Sequence, residues 1–109
     1  MAEICVVKVE RGAVVAIDRF GARVMPPVYP GSGGGAVFAD YNPALNKILV
    51  LTERGGVIIM SGTSQRAPWY GNGRHITMAR WAGNDIAVTY QNGSCELYSQ
   101  YGTRIKWLY

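Results

Sequence analysis

Apolar and polar residues alternate in short runs along this chain, and no run keeps helical apolar spacing over three turns. Ile86, Val88 and Tyr90 alternate with Ala87, Thr89 and Gln91, the period of two expected of a strand with one covered face. Asn92-Gly93 follows, a strong signal for a two-residue hairpin turn whose central positions both need positive φ. Cys95, Leu97 and Tyr98 carry the next strand, Gly102 closes a second turn, and residues 103–109 form a third strand. Two other runs, Ala13–Ile17 and residues 57–60, are wholly apolar. Such runs predict strands covered on both faces.

The pattern at the end of the chain recurs upstream. A shift of 38 residues places Gly93 on Gly55, Gly102 on Ser64, Arg104 on Arg66 and Trp107 on Trp69. A further shift of 43 places Gly55 on Gly12, Ser64 on Gly21 and Arg66 on Arg23. In each copy the second turn falls nine residues after the first, and an arginine follows two residues later. Two copies also share an upstream strand, Val37-Phe38-Ala39-Asp40-Tyr41 in one and Thr77-Met78-Ala79-Arg80-Trp81 in the other. Only residues 1–4 stand in that place in the first copy, too few for a full strand. The expected count is three strands, then four, then four, in one domain of three repeats at about 1–30, 36–71 and 76–109.

Taken in order, residues 4–9 predict the first strand, with Glu10-Arg11-Gly12 as its turn. Residues 22–25 begin an outer strand that Pro26-Pro27 confines to a sheet edge, since proline offers no N–H to a ladder. The run Pro30-Gly31-Ser32-Gly33-Gly34-Gly35 reads as a flexible connection. A strand follows it where a phosphate-binding loop would need a helix, so phosphate binding is not expected. Residues 47–52 return as a strand, Glu53-Arg54-Gly55-Gly56 turns it, and 65–69 form the next outer strand, interrupted by Pro68.

Units of about 40 residues with four antiparallel strands resemble the blades of WD40-like β-propellers. In that resemblance Ala39-Asp40-Tyr41 and Ala79-Arg80-Trp81 end the innermost strand, residues 48–53 and 86–91 form the second strand, and 57–60 and 95–98 the third. The Trp-Asp dipeptide and Gly-His pair of WD40 repeats are absent from this chain. The fold class implied is all-β: three tandem propeller-blade-like units that close by oligomerisation. Three blades are too few to close around an axis, and exposed apolar faces and strand edges invite association. Two chains would supply six blades, and the strand missing from the first copy could come from a neighbouring chain or be absent. A β-trefoil or another small barrel is the alternative.

Composition narrows the function. The 109 residues carry a formal charge of +4, but the basic residues are spread without a cluster of four, so nucleic acid is not the expected partner. No run of 18 apolar residues predicts a membrane span, and no signal peptide opens the chain, so cytoplasmic synthesis is expected. Cys5 and Cys95, both expected in apolar strands, read as free thiols rather than a disulfide. The single histidine, His75, lacks companions at metal-ligand spacing, and no nucleophile, base and orienting acid can be assigned. Neither a cofactor nor an enzymatic activity is expected.

The aromatic residues carry the remaining signal, because Tyr and Trp with Arg dominate protein interfaces and also stack on sugars. Arg66 with Trp69 and Arg104 with Trp107 stand three apart in corresponding strands; with Tyr70, Trp81 and Tyr109 they form the candidate binding set. The expected function is a non-catalytic recognition or assembly module that self-associates within a larger protein complex, such as a virion accessory part. The alternative is a lectin-like protein with repeated Arg/Trp sites for carbohydrate or an anionic ligand.

Overall fold

The computed structural model describes residues 4–62, 64–71 and 75–109. Among these residues there are ten strands, no helix, and three antiparallel sheets. The first sheet pairs β1 (Val6–Glu10) with β2 (Ala13–Ile17). The second runs β3 (Ala36–Asn42), β4 (Lys47–Thr52), β5 (Val57–Ser61), β6 (Ser64–Gln65). The third runs β7 (Ile76–Ala82), β8 (Asp85–Tyr90), β9 (Cys95–Tyr98), β10 (Arg104–Trp107). Within each sheet the order in space is the order in the chain, so every pairing is between chain neighbours.

The sheets correspond position by position. Leu49 pairs with Ile59 and Leu51 with Val57 in the second sheet; Ala87 with Leu97 and Thr89 with Cys95, each 38 residues on, pair in the third. Strands β3 and β7 carry the same bulge, between Ala36 and Phe38 and between Ile76 and Met78. Behind β2 the chain returns through bridges Ile17–Arg23 and Val14–Val28, the place held by Met60–Gln65 and Val57–Trp69 in the second sheet. No strand of the described residues pairs with the far edge of β1, where β3 and β7 stand in the other two sheets.

Face-to-face stacking builds the core. Val7, Val14 and Ala16 of the first sheet pack on Ile48, Val50, Ile58 and Met60 of the second. The opposite face of the second sheet, Leu49, Leu51, Val57 and Ile59, packs on Ile86, Val88, Tyr90 and Tyr98 of the third. Strands β4 and β5 are therefore buried on both sides, which is why 57–60 is apolar at every position. Each such Leu or Ile contributes about 1.5–3 kcal/mol by leaving water.

Several turns depart from the sequence expectation. Asn92 does not take positive φ; only Gly93 does, at 89°. The turn is longer than two residues: Gly93 N–H donates to Tyr90 O and Tyr90 N–H to Ser94 O, while the Asn92 carboxamide oxygen accepts from Ser94 N–H and Oγ–H. That local bonding competes with the two-residue turn. The two-residue turn with both φ positive is Arg11-Gly12, at 51° and 80°. Ser64 is not a turn residue either, because it pairs with Ser61 as part of β6, and the positive-φ glycine there is Gly62. Asp18 and Ser99 do hold equivalent turns: each side-chain oxygen accepts two backbone N–H groups, Phe20 and Ala22 at one, Tyr101 and Thr103 at the other.

Cys5 lies exposed before β1 rather than inside a strand, Cys95 is buried in β9, and both are free. The glycine run is docked rather than loose. Arg54 N–H donates to Gly33 O, Glu53 N–H to Gly35 O, and Gly35 N–H to Glu53 Oε1 at 2.7 Å. Gly33 sits at φ +83°, and a Cβ there would lie 2.8 Å from Thr52 Oγ1, so a side chain would break this seat.

Candidate functional site

Four of the seven candidate residues gather along the outer rim of the second and third sheets. Trp69 extends the second sheet by bridging Val57, and its ring stacks on Tyr98 of β9 at 5.1 Å and 18°. Its Nε1–H donates to Gln100 O at 3.2 Å, and Gly102 leaves the space its ring fills, since a Cβ there would meet Trp69 Cγ at 2.7 Å. Arg66 lies over the Tyr101 ring at 4.7 Å, with the Lys47 ammonium at 6.0 Å from the same ring and hydrogen-bonded to Gln100 Oε1. Tyr70 is half exposed and rests over Gly56. Arg104 holds the buried Glu96 through Nε–Oε2 at 2.5 Å.

The other three stand apart. Trp81, at the end of β7, donates its backbone N–H to Asp40 Oδ2 and its Nε1–H to Asp40 O, tying the third sheet to β3. Trp107 and Tyr109 close the chain at 61% and 68% exposure, beside the exposed Ile105 and Leu108. The two Arg/Trp pairs, alike in spacing, thus differ in surroundings. The first lies in the seam between sheets, where Trp69 is half buried; the second stands on an edge strand, where Trp107 has one side in solvent.

Burial and charge distinguish the third sheet. Glu96 is 2% exposed and sits with Tyr90 and Tyr98, whose hydroxyls are 2.8 Å apart. Burial pushes the Tyr90 phenol far above its ordinary pKa, and hydrogen bonds to Glu96 and Tyr98 add to the rise. At the opposite end of the molecule Lys8, beside Glu10, holds that exposed carboxyl below its usual value. The residues that the sequence left out of the site are Glu96, Gln100, Tyr101 and Lys47. Two of them carried a signal, Tyr101 as one of the many aromatic residues and Glu96 as a lone charge within the buried run Cys95–Tyr98.

Among the described residues no three His, Cys, Asp or Glu side chains come together as a metal site, and no helix is long and apolar enough to cross a membrane. His75 is exposed, its carbonyl accepting from Gln91 N–H. Comparison with known protein families and with curated proteins gives no match for this chain.

Proposed function

We propose that this protein is a non-catalytic recognition and assembly module that self-associates through its end sheets and serves as a subunit of a larger complex, such as a virion accessory part. One observation carries it. The middle sheet has both faces covered by neighbouring sheets, whereas each end sheet has a neighbour on one face only. The positions that in the middle sheet meet the third sheet, Leu49, Leu51, Val57 and Ile59, become Ala87, Thr89, Cys95 and Leu97 on the outward face of the third. Of these, Ala87, Thr89 and Leu97 are half-buried and Cys95 is buried within the chain. Those that meet the first sheet, Ile48, Val50, Ile58 and Met60, become Val6, Lys8, Val15 and Ile17 on its outward face. There Val6 and Lys8 are exposed and Ile17 half-buried, while Val15 is already covered within the chain, as the apolar run Ala13–Ile17 led one to expect. The occupant that fits both faces is a second copy, its first sheet against the third sheet of its neighbour. Two such contacts give six sheets around an axis, a propeller-like closure. Stacking of separate sheets supports this over a β-trefoil, whose strands share one barrel.

Light scattering over a range of concentrations tests it. A dimer is expected, and Leu97→Lys, on the outward face, should release monomers while leaving the circular dichroism of the fold intact. A wild-type protein that stays monomeric at high concentration would sink the proposal.

A lectin-like role is the second reading, and the exposure of Trp107 and Tyr109 beside the basic Arg104 and Lys106 favours it. An aromatic platform of this kind stacks on a sugar ring. A glycan array tests it, with Trp107→Ala as the control that keeps the fold and loses the signal.

A further inference from the structure

We infer that the free edge of β1 is a strand-addition site for an extended, acidic–aromatic segment of a partner protein. The first sheet lacks the strand that β3 and β7 provide in the other two. Glu10 pairs with Ala13 across a two-residue turn, so the backbone groups of Glu10 and Lys8 are directed to β2 and those of Val7 and Val9 point away from it. A cleft of about 230 Å³ lies along that edge, lined by Cys5, Val6 and Val7 on one side and Ala39, Asp40 and Tyr41 on the other.

The molecule itself shows what fills such a place. One sheet further on, the equivalent position is occupied by β3, which pairs with β4 and is held from the side by Trp81 of β7. Trp81 N–H donates to the Asp40 carboxylate, its Nε1–H to the Asp40 carbonyl, and Gly83 O accepts from Asn42 Nδ2–H. Tyr41 stands at the position of Trp81 one sheet earlier, and it lines the cleft. A strand entering there would bond Val7 and Val9 along its backbone and place a carboxylate near the Tyr41 N–H. The acidic residue of the entering strand is set by the internal example, in which the Asp40 carboxylate accepts from Trp81 N–H. The site differs from the outward faces that carry self-association, because it uses a strand edge.

A synthetic peptide of the β3 sequence, AVFADYN, is the probe. Hydrogen exchange at the Val7 and Val9 amides, followed by NMR on the intact protein, is the readout. Exchange at both should be fast without peptide and slow on its addition. Replacing the peptide aspartate by lysine should weaken binding about tenfold or more, the loss expected for a hydrogen bond to a charged group. Val9→Pro removes one outward N–H at an edge position and should abolish binding; if this variant does not fold, the lysine-containing peptide carries the test. Amides already protected in dilute protein would mean that the chain covers its own edge. Protection that grows with protein concentration alone would make the occupant a second copy. Either result, or no change on adding peptide, overturns the proposal. Light scattering on the same samples separates it from self-association, which can fail or succeed independently.

Discussion

Trp69 and Trp107 stand 38 residues apart, each three residues after an arginine, yet one is part of the wall between two sheets and the other faces water. The difference lies in what comes next in space. Trp69 belongs to the middle sheet, so the third sheet supplies Tyr98 as a stacking partner, Gln100 as an acceptor and Gly102 as room. Trp107 belongs to the third sheet, and no other sheet of the described residues packs over it. Equal spacing makes two residues equivalent along the chain, but burial is decided by the neighbouring unit. The arginines diverge for the same reason. Arg66 reaches across to Tyr101 of the next sheet, whereas Arg104 turns into its own sheet to Glu96.

Truncation of the two tryptophans separates these roles most sharply. Trp69→Ala empties the seam and should cost about 3 kcal/mol of stability, the low end for removing a large aromatic because the ring is only half buried; urea unfolding measures it. Trp107→Ala should change stability by less than about 0.5 kcal/mol, as an exposed side chain does. Equal losses for both would mean that Trp107 is covered after all, as in an oligomer, and repeating the titration at higher protein concentration would reveal this.

The arginine comparison predicts a smaller gap. Arg104→Ala removes one cation from the buried Glu96 carboxylate and should cost about 2 kcal/mol, below the usual loss for a broken buried pair because half of the Arg104 side chain is in water. Arg66→Ala removes only an exposed cation–ring contact, worth about 0.5 kcal/mol. Adding Glu96→Gln to Arg104→Ala should recover part of the larger loss, since a neutral amide costs less to bury than a carboxylate.

Tyr90 gives a milder, pH-dependent contrast with the exposed tyrosines. Its folded pKa is raised above the ordinary 10.0, so the unfolded chain loses this proton first as the pH climbs. The stability it contributes is complete below about pH 10 and falls above it. Tyr90→Phe should cost about 1 kcal/mol at neutral pH through the lost hydrogen bonds and should flatten the alkaline decline. An unchanged slope of stability between pH 9 and 11 would show that the phenol titrates in the native state. The smallest effect is expected at Glu10: its lowered pKa means a slight loss of stability as the pH falls through the carboxylate range, reduced in Lys8→Ala, where Arg23 and Arg11 still act on the carboxyl.

Much of the architecture was legible in the chain because alternation and glycine spacing are local. Lys47–Thr52 was placed to the residue, and Gly12, Gly55 and Gly93 all sit in corresponding turns, β1–β2, β4–β5 and β8–β9, with φ near 80–90°. The short outer strand of the second sheet, and the long turn at Asn92, escaped because a side-chain oxygen or a one-residue shift decides them. The candidate set was legible only as a composition of aromatic and basic residues. Which of them meet depended on partners 31 to 41 positions away, as with Trp69 and Gln100 or Trp81 and Asp40.

By itself, then, the chain determined that it forms strands, where they turn, and that their pattern repeats, because these follow from the preferences of adjacent residues. Only the stacking of the sheets decided which side chains became core, seam or open surface. It also left β1 with an edge that no strand of the described residues covers. The cause is physical: a period of two gives every strand two faces and every sheet two edges, and only contact with another sheet or strand removes them from water.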